Sequence, residues 1–457
     1  MSPPSLPSFK IGQIPSGRWF VGHLWEFKQR PLDIMAAWRR QHGDLVRFRL
    51  GTRSCYLLSH PDLAEEALLH RPDDFGKIYD PGKPTGLGLV LGNGLLTSEG
   101  SLWKKNRRLI QPVFQRQRVT TMAREIATVG KELLQRWDAE DRPQSMDVAV
   151  EMMKTTLDVI TRTMFNTSLL HEVGRLAPAL DTLLRYAFQS FHNPLRLPLW
   201  VPTPGNRSFQ EAKTLVDRLI YGLISERRHS GNRHGDLLDH LLHAVDEETG
   251  SGLSDEQLRD ELLTIAAAGH ETTANALSWT WYLLAHHRDV RAKLYGELAE
   301  VLQDRAPTVE DVPRLRYTRS IFEEALRLYP PAPALQRKSL HDTSLGGCPI
   351  KGGSLVIISL WNIHRHVDFW TEPEAFRPER FMRGADATGH RLAWMPFGAG
   401  HRTCIGNHFA MIEGPLLLAL IAQRYELDLA PGYDVEPEVA VTVRPKYGLK
   451  MMVRKRM

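Results

Sequence analysis

Pro396-Phe397-Gly398-Ala399-Gly400-His401-Arg402-Thr403-Cys404-Ile405-Gly406 constrains this chain more than any other stretch. It reads as a glycine-rich turn that delivers one cysteine to the start of a helix. Gly398 and Gly400 let the backbone turn where a side chain would clash. Beyond Gly406 the apolar residues Phe409, Ala410, Ile412, Leu416, Leu417, Leu420 and Ile421 recur with helical period. Cys404 therefore sits just ahead of a helix N-terminus, where free N–H groups and the positive end of the dipole stabilise a thiolate. Such a thiolate is a nucleophile or a metal ligand. A single cysteine beside a turn is more often a buried structural residue, so the surrounding pattern has to decide.

The three cysteines, Cys55, Cys348 and Cys404, lie far apart with no C-x-x-C pair. That excludes a zinc ribbon or a disulfide framework and suits a reducing compartment. Apolar content of 42% and charged content of 24% describe an ordinary globular protein. The 457 residues give a length-based expectation of roughly three domains and are enough to enclose a large cofactor. Net charge is only +5, but seven cations and no acid fall between Ser101 and Arg124. This is a solvated face or a docking patch for an acidic partner. Nucleic acid is disfavoured because no recognition motif accompanies the patch. No apolar run is long enough for a signal peptide or a membrane span, which predicts a soluble, cytoplasmic protein.

Along the chain, residues 1–30 read as an irregular, proline-bearing lead. A short helix, two strands around Gly51 and a helix over 61–70 follow. Residues 72–98 form a long glycine- and proline-rich loop whose spacing fails the G-x-G-x-x-G nucleotide pattern. Helices are predicted at about 101–114, 119–139, 147–166, 174–191, 207–229 and 235–247. An apolar, proline-rich linker at 193–205 interrupts them. The longest helix runs from Ser254 to His286, with Ser254 and Gln257 as a capping box. Helices near 288–303 and 317–329, short strands over 335–360, an irregular stretch over 361–394 and a helix over 406–424 come next. A hairpin is expected around 440–453.

Midway along the long helix, Ala267-Ala268-Gly269-His270-Glu271-Thr272-Thr273 brings small residues together at a cost in helix propensity. Such a run admits another helix or a large ligand close to the backbone. The zinc-protease motif H-E-x-x-H fails because position 274 is Ala. Glu324-Ala325-Leu326-Arg327 places an acid and a base on one helix face, commonly just a surface pair. Trp103 and Arg107 share a face four residues apart. Cys55, Cys348, His364 and His366 read as structural, and the nineteen histidines show no metal-ligand spacing.

Taken together, F-x-x-G-x-R-x-C-x-G, A-G-x-E-T, E-x-x-R with Pro378-Glu379-Arg380-Phe381, and W-x-x-x-R occur in the order found in the cytochrome P450 family. The chain resembles that family from about Pro31 to its C-terminal strands. The resemblance implies a mainly α fold with a small β-rich lobe, one haem-enclosing domain over 1–457 with no fused reductase, which overrides the length-based expectation. It implies haem b with Cys404 as axial thiolate ligand. Phe397 and Gly406 would lie by the sulfur and Ala268 against the ring. Arg402, Trp103, Arg107 and Arg337 would contact the propionates. Glu324, Arg327 and Arg380 would form a buried network fixing the cysteine loop. Glu271 and Thr272 would relay protons for cleavage of the O–O bond.

The implied function is insertion of one oxygen atom from O2 into a hydrophobic small molecule, in the fatty acid, terpenoid, steroid or carotenoid class. Tyr79, Leu87, Leu89 and Val90 would roof the pocket, the 193–205 linker would act as its lid, and Ala332-Pro333-Ala334-Leu335 would add apolar surface. Electrons would come from NAD(P)H through a separate ferredoxin or flavodoxin with its reductase. That partner would dock near Lys104, Lys105 and Arg108. A peroxide-driven peroxygenase is one rival, disfavoured by the Glu271-Thr272 pair. A non-catalytic haem sensor or carrier is the other, and it has no need of that pair.

Overall fold

A computed structural model describes all residues except 1–8, 15–16, 18–20, 80–83, 140–143, 169, 193–196, 383–388 and 457. Parts of the expected lead, pocket loop and lid thus lie outside the described residues. The chain groups into two compact units, Met1–Ile78 with Glu323–Cys404 and Tyr79–Phe322 with Ile405–Met457. The fold is mainly helical with small mixed sheets.

The first unit is built on a six-stranded sheet. Leu45–Leu50 and Arg53–Leu58 pair antiparallel across the Gly51 turn, with Leu45 opposite Leu58. Leu355–Ser359, buried at every position, runs parallel to Arg53–Leu58 and antiparallel to Ala334–Ser339. A strand buried on both faces reads as a continuous apolar run, and Leu355-Val-Ile-Ile is one. The lead is not irregular throughout. Ile11–Gln13 adds a parallel edge strand and Leu24–Gln29 is a helix. Three residues are too few to show a period, so the strand comes from pairing, not propensity. Pro61–Glu65 begins with proline under a His60 cap and continues as a π-turn over Glu66–His70. Leu45, Leu58, Leu63, Leu68, Phe75 and Ile358 form part of the core beneath.

The second unit is organised around the helix Asp255–His286, capped by the expected Ser254–Gln257 box. At 1.5 Å per residue it is about 50 Å long. The helices Val148–Phe165, Pro204–Ser230 and Asn407–Arg424 pack against it. A Cβ on Gly269 would lie 2.7 Å from Ile160 Cδ1. That glycine therefore serves helix–helix packing, the blander of its two readings. Lys450–Lys455 lies between Tyr425–Leu429 and Gln144–Asp147, so it is not half of a hairpin with residue 440. The hairpin joins Pro437–Val439 to Val443–Pro445. Gln144–Asp147 has no β-branched or aromatic residue to signal a strand. Among the described residues, no helix is long and apolar enough to cross a membrane.

Candidate active site

In the first unit, the cysteine loop is a sequence of forced turns. Gly398 and Gly400 have φ of 70° and 75°, in the left-handed region that favours glycine. A Cβ on Gly400 would meet the Leu68 carbonyl oxygen at 2.3 Å. A 3-10 turn over Gly400–Arg402 follows, closed by Thr403 Oγ1 donating to the Gly400 carbonyl at 2.7 Å. Cys404 N–H donates to the Phe397 carbonyl at 2.9 Å. These contacts set the direction in which the Cys404 side chain leaves the loop. The thiol is exposed and in no disulfide. Arg337, His401 and Arg402 line a nearby cleft with Ala67, Leu68, Pro72, Phe75 and Ala399.

Glu324 and Arg327 are both fully buried. Arg327 Nε and Nη2 donate to the two carboxylate oxygens at 2.6 and 2.8 Å. Its remaining N–H groups reach the carbonyls of His364, Pro373 and Ala375. Arg380 Nε lies 3.3 Å from Glu324 Oε1, and the Arg377 backbone N–H donates to the same oxygen. The three residues singled out from sequence thus meet in one site. His364, which accepts from the Met395 N–H at 3.0 Å, ties the stretch before the cysteine loop to the same cluster.

In the second unit, the long helix is buried along most of its length, yet Ala268 is exposed and Ala266, Gly269 and Thr272 are half-buried. Ala268 and Thr272, four residues apart, share one helix face. Thr272 Oγ1 donates to the Ala268 carbonyl at 2.6 Å. Glu271 points elsewhere. It is 4% exposed and accepts from Thr442 Oγ1 at 2.7 Å. Burial pushes its carboxyl above the usual range, against the opposing effects of Thr442 and the nearby Arg444 guanidinium. Trp103 is buried and Arg107 half-buried on the helix Gly100–Ile110.

The loop before that helix is fastened to the long helix by two acids that sequence reading passed over. The Asn93 N–H donates to Asp260 at 2.7 Å and the Leu95 N–H to Glu261 at 2.9 Å. Asn106 Nδ2 reaches the other Glu261 oxygen at 2.6 Å. Gly92 and Gly94 are needed here, since a Cβ on either would fall within 2.2 Å of Asp260 or Thr264 side-chain oxygens. The available signal was an acid pair set among the core-facing residues Leu258, Leu262 and Leu263. Val90, expected in the pocket roof, is core, and its carbonyl accepts from Arg259. Tyr79, Leu87 and Leu89 remain half-buried.

A family model described as cytochrome P450 matches residues 13–452. The chain belongs to the cytochrome P450 family. Cyclooctatin synthase of Streptomyces melanosporofaciens is 36% identical, the match covering 97% of this chain and 96% of the relative. Cyclooctat-9-en-7-ol 5-monooxygenase of the same organism is 34% identical, covering 94% and 92%. Pentalenene oxygenase of Streptomyces avermitilis is 32% identical, covering 96% of each. The crystal structure of a cytochrome P450DA heme domain superposes with a TM-score of 0.87 at 29% identity, covering 99% of each chain. Membership makes the chain a haem-dependent monooxygenase acting on a small hydrophobic molecule.

The residues present fit a haem. The cysteine loop of this P450 ends in an exposed thiol, the kind of ligand the family uses. Arginines line the cleft beside it, as carboxylate recognition requires. The expected docking patch is not uniformly available. Arg108 pairs with Asp246 and Glu248 at 2.9 Å each, and Lys105 Nζ donates to Ser251 and the Gly252 carbonyl. Lys104 is exposed.

Two groups, Asp44–His60–His366 and Asp62–Glu65–His390, bring three possible ligand atoms within 4.8 Å. In all three histidines Nδ1 accepts a backbone N–H two residues on, from Asp62, Asp368 and Leu392. The neutral ring then carries its proton on Nε2, which donates toward carboxylates in His366 and His390. These are polar clusters, not vacant metal sites.

Proposed function

We propose that residues 1–457 act as one haem-enclosing domain in which Cys404 is the axial thiolate ligand of haem b. Arg402, Arg337, Trp103 and Arg107 hold the propionates, Phe397 and Gly406 flank the sulfur, and Ala268 faces the ring. The observation that supports this reading is the exposed thiol of Cys404, held at the end of a loop that turns through two left-handed glycines. When bound, haem supplies the oxidising chemistry, the reductive activation of O2. The chain supplies protons through Glu271 and Thr272 and keeps water scarce around them, while Glu324, Arg327 and Arg380 hold the cysteine loop. Electrons arrive from NAD(P)H through a separate ferredoxin or flavodoxin with its reductase. Lys104 is the patch cation best placed to meet an acidic partner, because Arg108 and Lys105 already have partners.

Among hydrophobic substrates, the terpenoid class is favoured over fatty acids. Two relatives are named for oxidation of pentalenene and of cyclooctat-9-en-7-ol, cyclic skeletons with at most a hydroxyl. The test is an optical titration of the ferric holoenzyme with cyclic terpene hydrocarbons and alcohols, and with long-chain fatty acids. A spin-state shift saturating with the terpenes at lower concentration supports the assignment. Preferential response to the fatty acids overturns it.

A further inference from the structure

We infer that Thr442, on the turn of the hairpin Pro437–Val439/Val443–Pro445, is a positioning residue that fixes which oxygen of Glu271 carries the exchangeable proton. The inference rests on the relay reading of Glu271 and adds a residue outside every motif read from the sequence.

Three observations converge. Thr442 Oγ1 lies 2.7 Å from Glu271 Oε1, and both side chains are buried at 4% exposure. Asn275 Nδ2, one turn further along the long helix, donates to the same Thr442 oxygen at 2.9 Å. The Thr442 hydroxyl accepts from Asn275 and directs its own proton to Glu271 Oε1. Oε1 is therefore an acceptor, and the proton of the neutral acid resides on Oε2. The hairpin is also held from two sides. Trp279 Nε1 donates to the Val443 carbonyl at 3.0 Å. Arg444, itself buried, is ion-paired with Asp181 and Glu438, and Arg185 joins both acids. Thr442 is thus a fixed donor.

Other groups act on Glu271 as well. Arg444 lowers its proton affinity, Asp181 raises it and Arg185 lowers it slightly, while Glu438 acts through its pairing with Arg444. One Arg444 nitrogen, Nη2, is buried without a hydrogen-bond partner among the described residues. Among the described residues, Thr442 is the one of these groups at hydrogen-bond distance from the carboxyl. A neutral donor to one oxygen keeps a buried acid from holding its proton too tightly to release it.

The test uses the holoenzyme without substrate, with the Glu271 carboxyl band assigned by its loss in Glu271→Gln in infrared difference spectra and titrated against pH. Thr442→Val, which keeps the shape and removes the donor, should raise the midpoint by about one pH unit or more, the worth of a hydrogen bond to a charged group. Thr442→Ser should return it to the wild-type value. Asn275→Ala, which frees the hydroxyl to rotate, should shift it upward by less, and it keeps the test open if Thr442→Val folds poorly. An unchanged midpoint in both Thr442→Val and Asn275→Ala overturns the inference. In parallel, peroxide released per NAD(P)H consumed is measured with a ferredoxin and its reductase. If Glu271→Gln leaves that yield unchanged, the relay reading falls. The carboxyl titration still decides the positioning role.

Discussion

Arg327 binds Glu324 at two points, Nε and Nη2 to the two carboxylate oxygens, and neither side chain has any exposure to solvent. A buried pair of this kind is costly to leave half made, since removing one partner strands a charge and breaks its other hydrogen bonds. Glu324→Ala is expected to destabilise the first unit by about 3–5 kcal/mol and to yield protein that does not retain haem. Denaturant midpoints and the haem-to-protein ratio read this out. A mutant with full haem content would show that the pair does not govern the cysteine loop.

Gly398 and Gly400 differ in a way that separates backbone strain from steric exclusion. Both have φ in the left-handed region, but a Cβ on Gly398 would meet only Leu335 Cδ1 at an ordinary 3.5 Å. On Gly400 it would strike a backbone oxygen. Gly398→Ala should cost about 1–2 kcal/mol, the left-handed penalty alone. Gly400→Ala should cost clearly more and reduce haem retention, because the Leu68 backbone has to move. Equal losses from the two would contradict the structure.

Glu261 gives a pH dependence of definite sign. Burial pushes its carboxyl up to about 8, partly opposed by the Leu95 N–H and Asn106. A raised folded-state value favours folding below the unfolded value near 4.5 and loses that advantage as pH rises through 8. Wild-type stability should therefore fall more steeply than that of Glu261→Gln across this window, by at most about 1.4 kcal/mol per pH unit. Parallel urea-unfolding curves would contradict the assignment.

His270 has the opposite dependence. It is fully buried, and among the described residues neither ring nitrogen has a hydrogen-bond partner. Burial holds its proton affinity down, to about 4. Stability tied to the neutral ring is present above 6.5 and is lost as pH falls toward 4. His270→Leu should be neutral or mildly stabilising at pH 7 and should flatten the acid side of the stability profile. A marked loss at pH 7 would mean that the ring makes a contact of its own.

The elements read most securely from sequence were those with local chemistry. The Ser254–Gln257 box placed the start of the long helix, and the Gly51 turn placed its two strands. The cysteine loop announced itself because glycines, arginine and cysteine stand at fixed spacing within a few residues. What was missed depends on partners distant in sequence. Ile11–Gln13 and Gln144–Asp147 become strands only by pairing, without a propensity signal. Asp260, Glu261 and Asn106 look like ordinary helix residues until the loop over 92–98 is laid against them. Thr442 carries no motif, and its part follows from a hydrogen bond spanning 171 positions. Arg108, expected at the docking patch, also pairs with acids well over a hundred residues on, which its local sequence does not announce.

The central claim is that Cys404 ligates haem as a thiolate, and the carbon monoxide difference spectrum of the reduced holoenzyme tests it most directly. The account predicts a Soret band strongly red-shifted from that of histidine-ligated haem, lost in Cys404→Ala. A band at the histidine-type position in the folded wild-type protein, or a red-shifted band that survives Cys404→Ala, would contradict it.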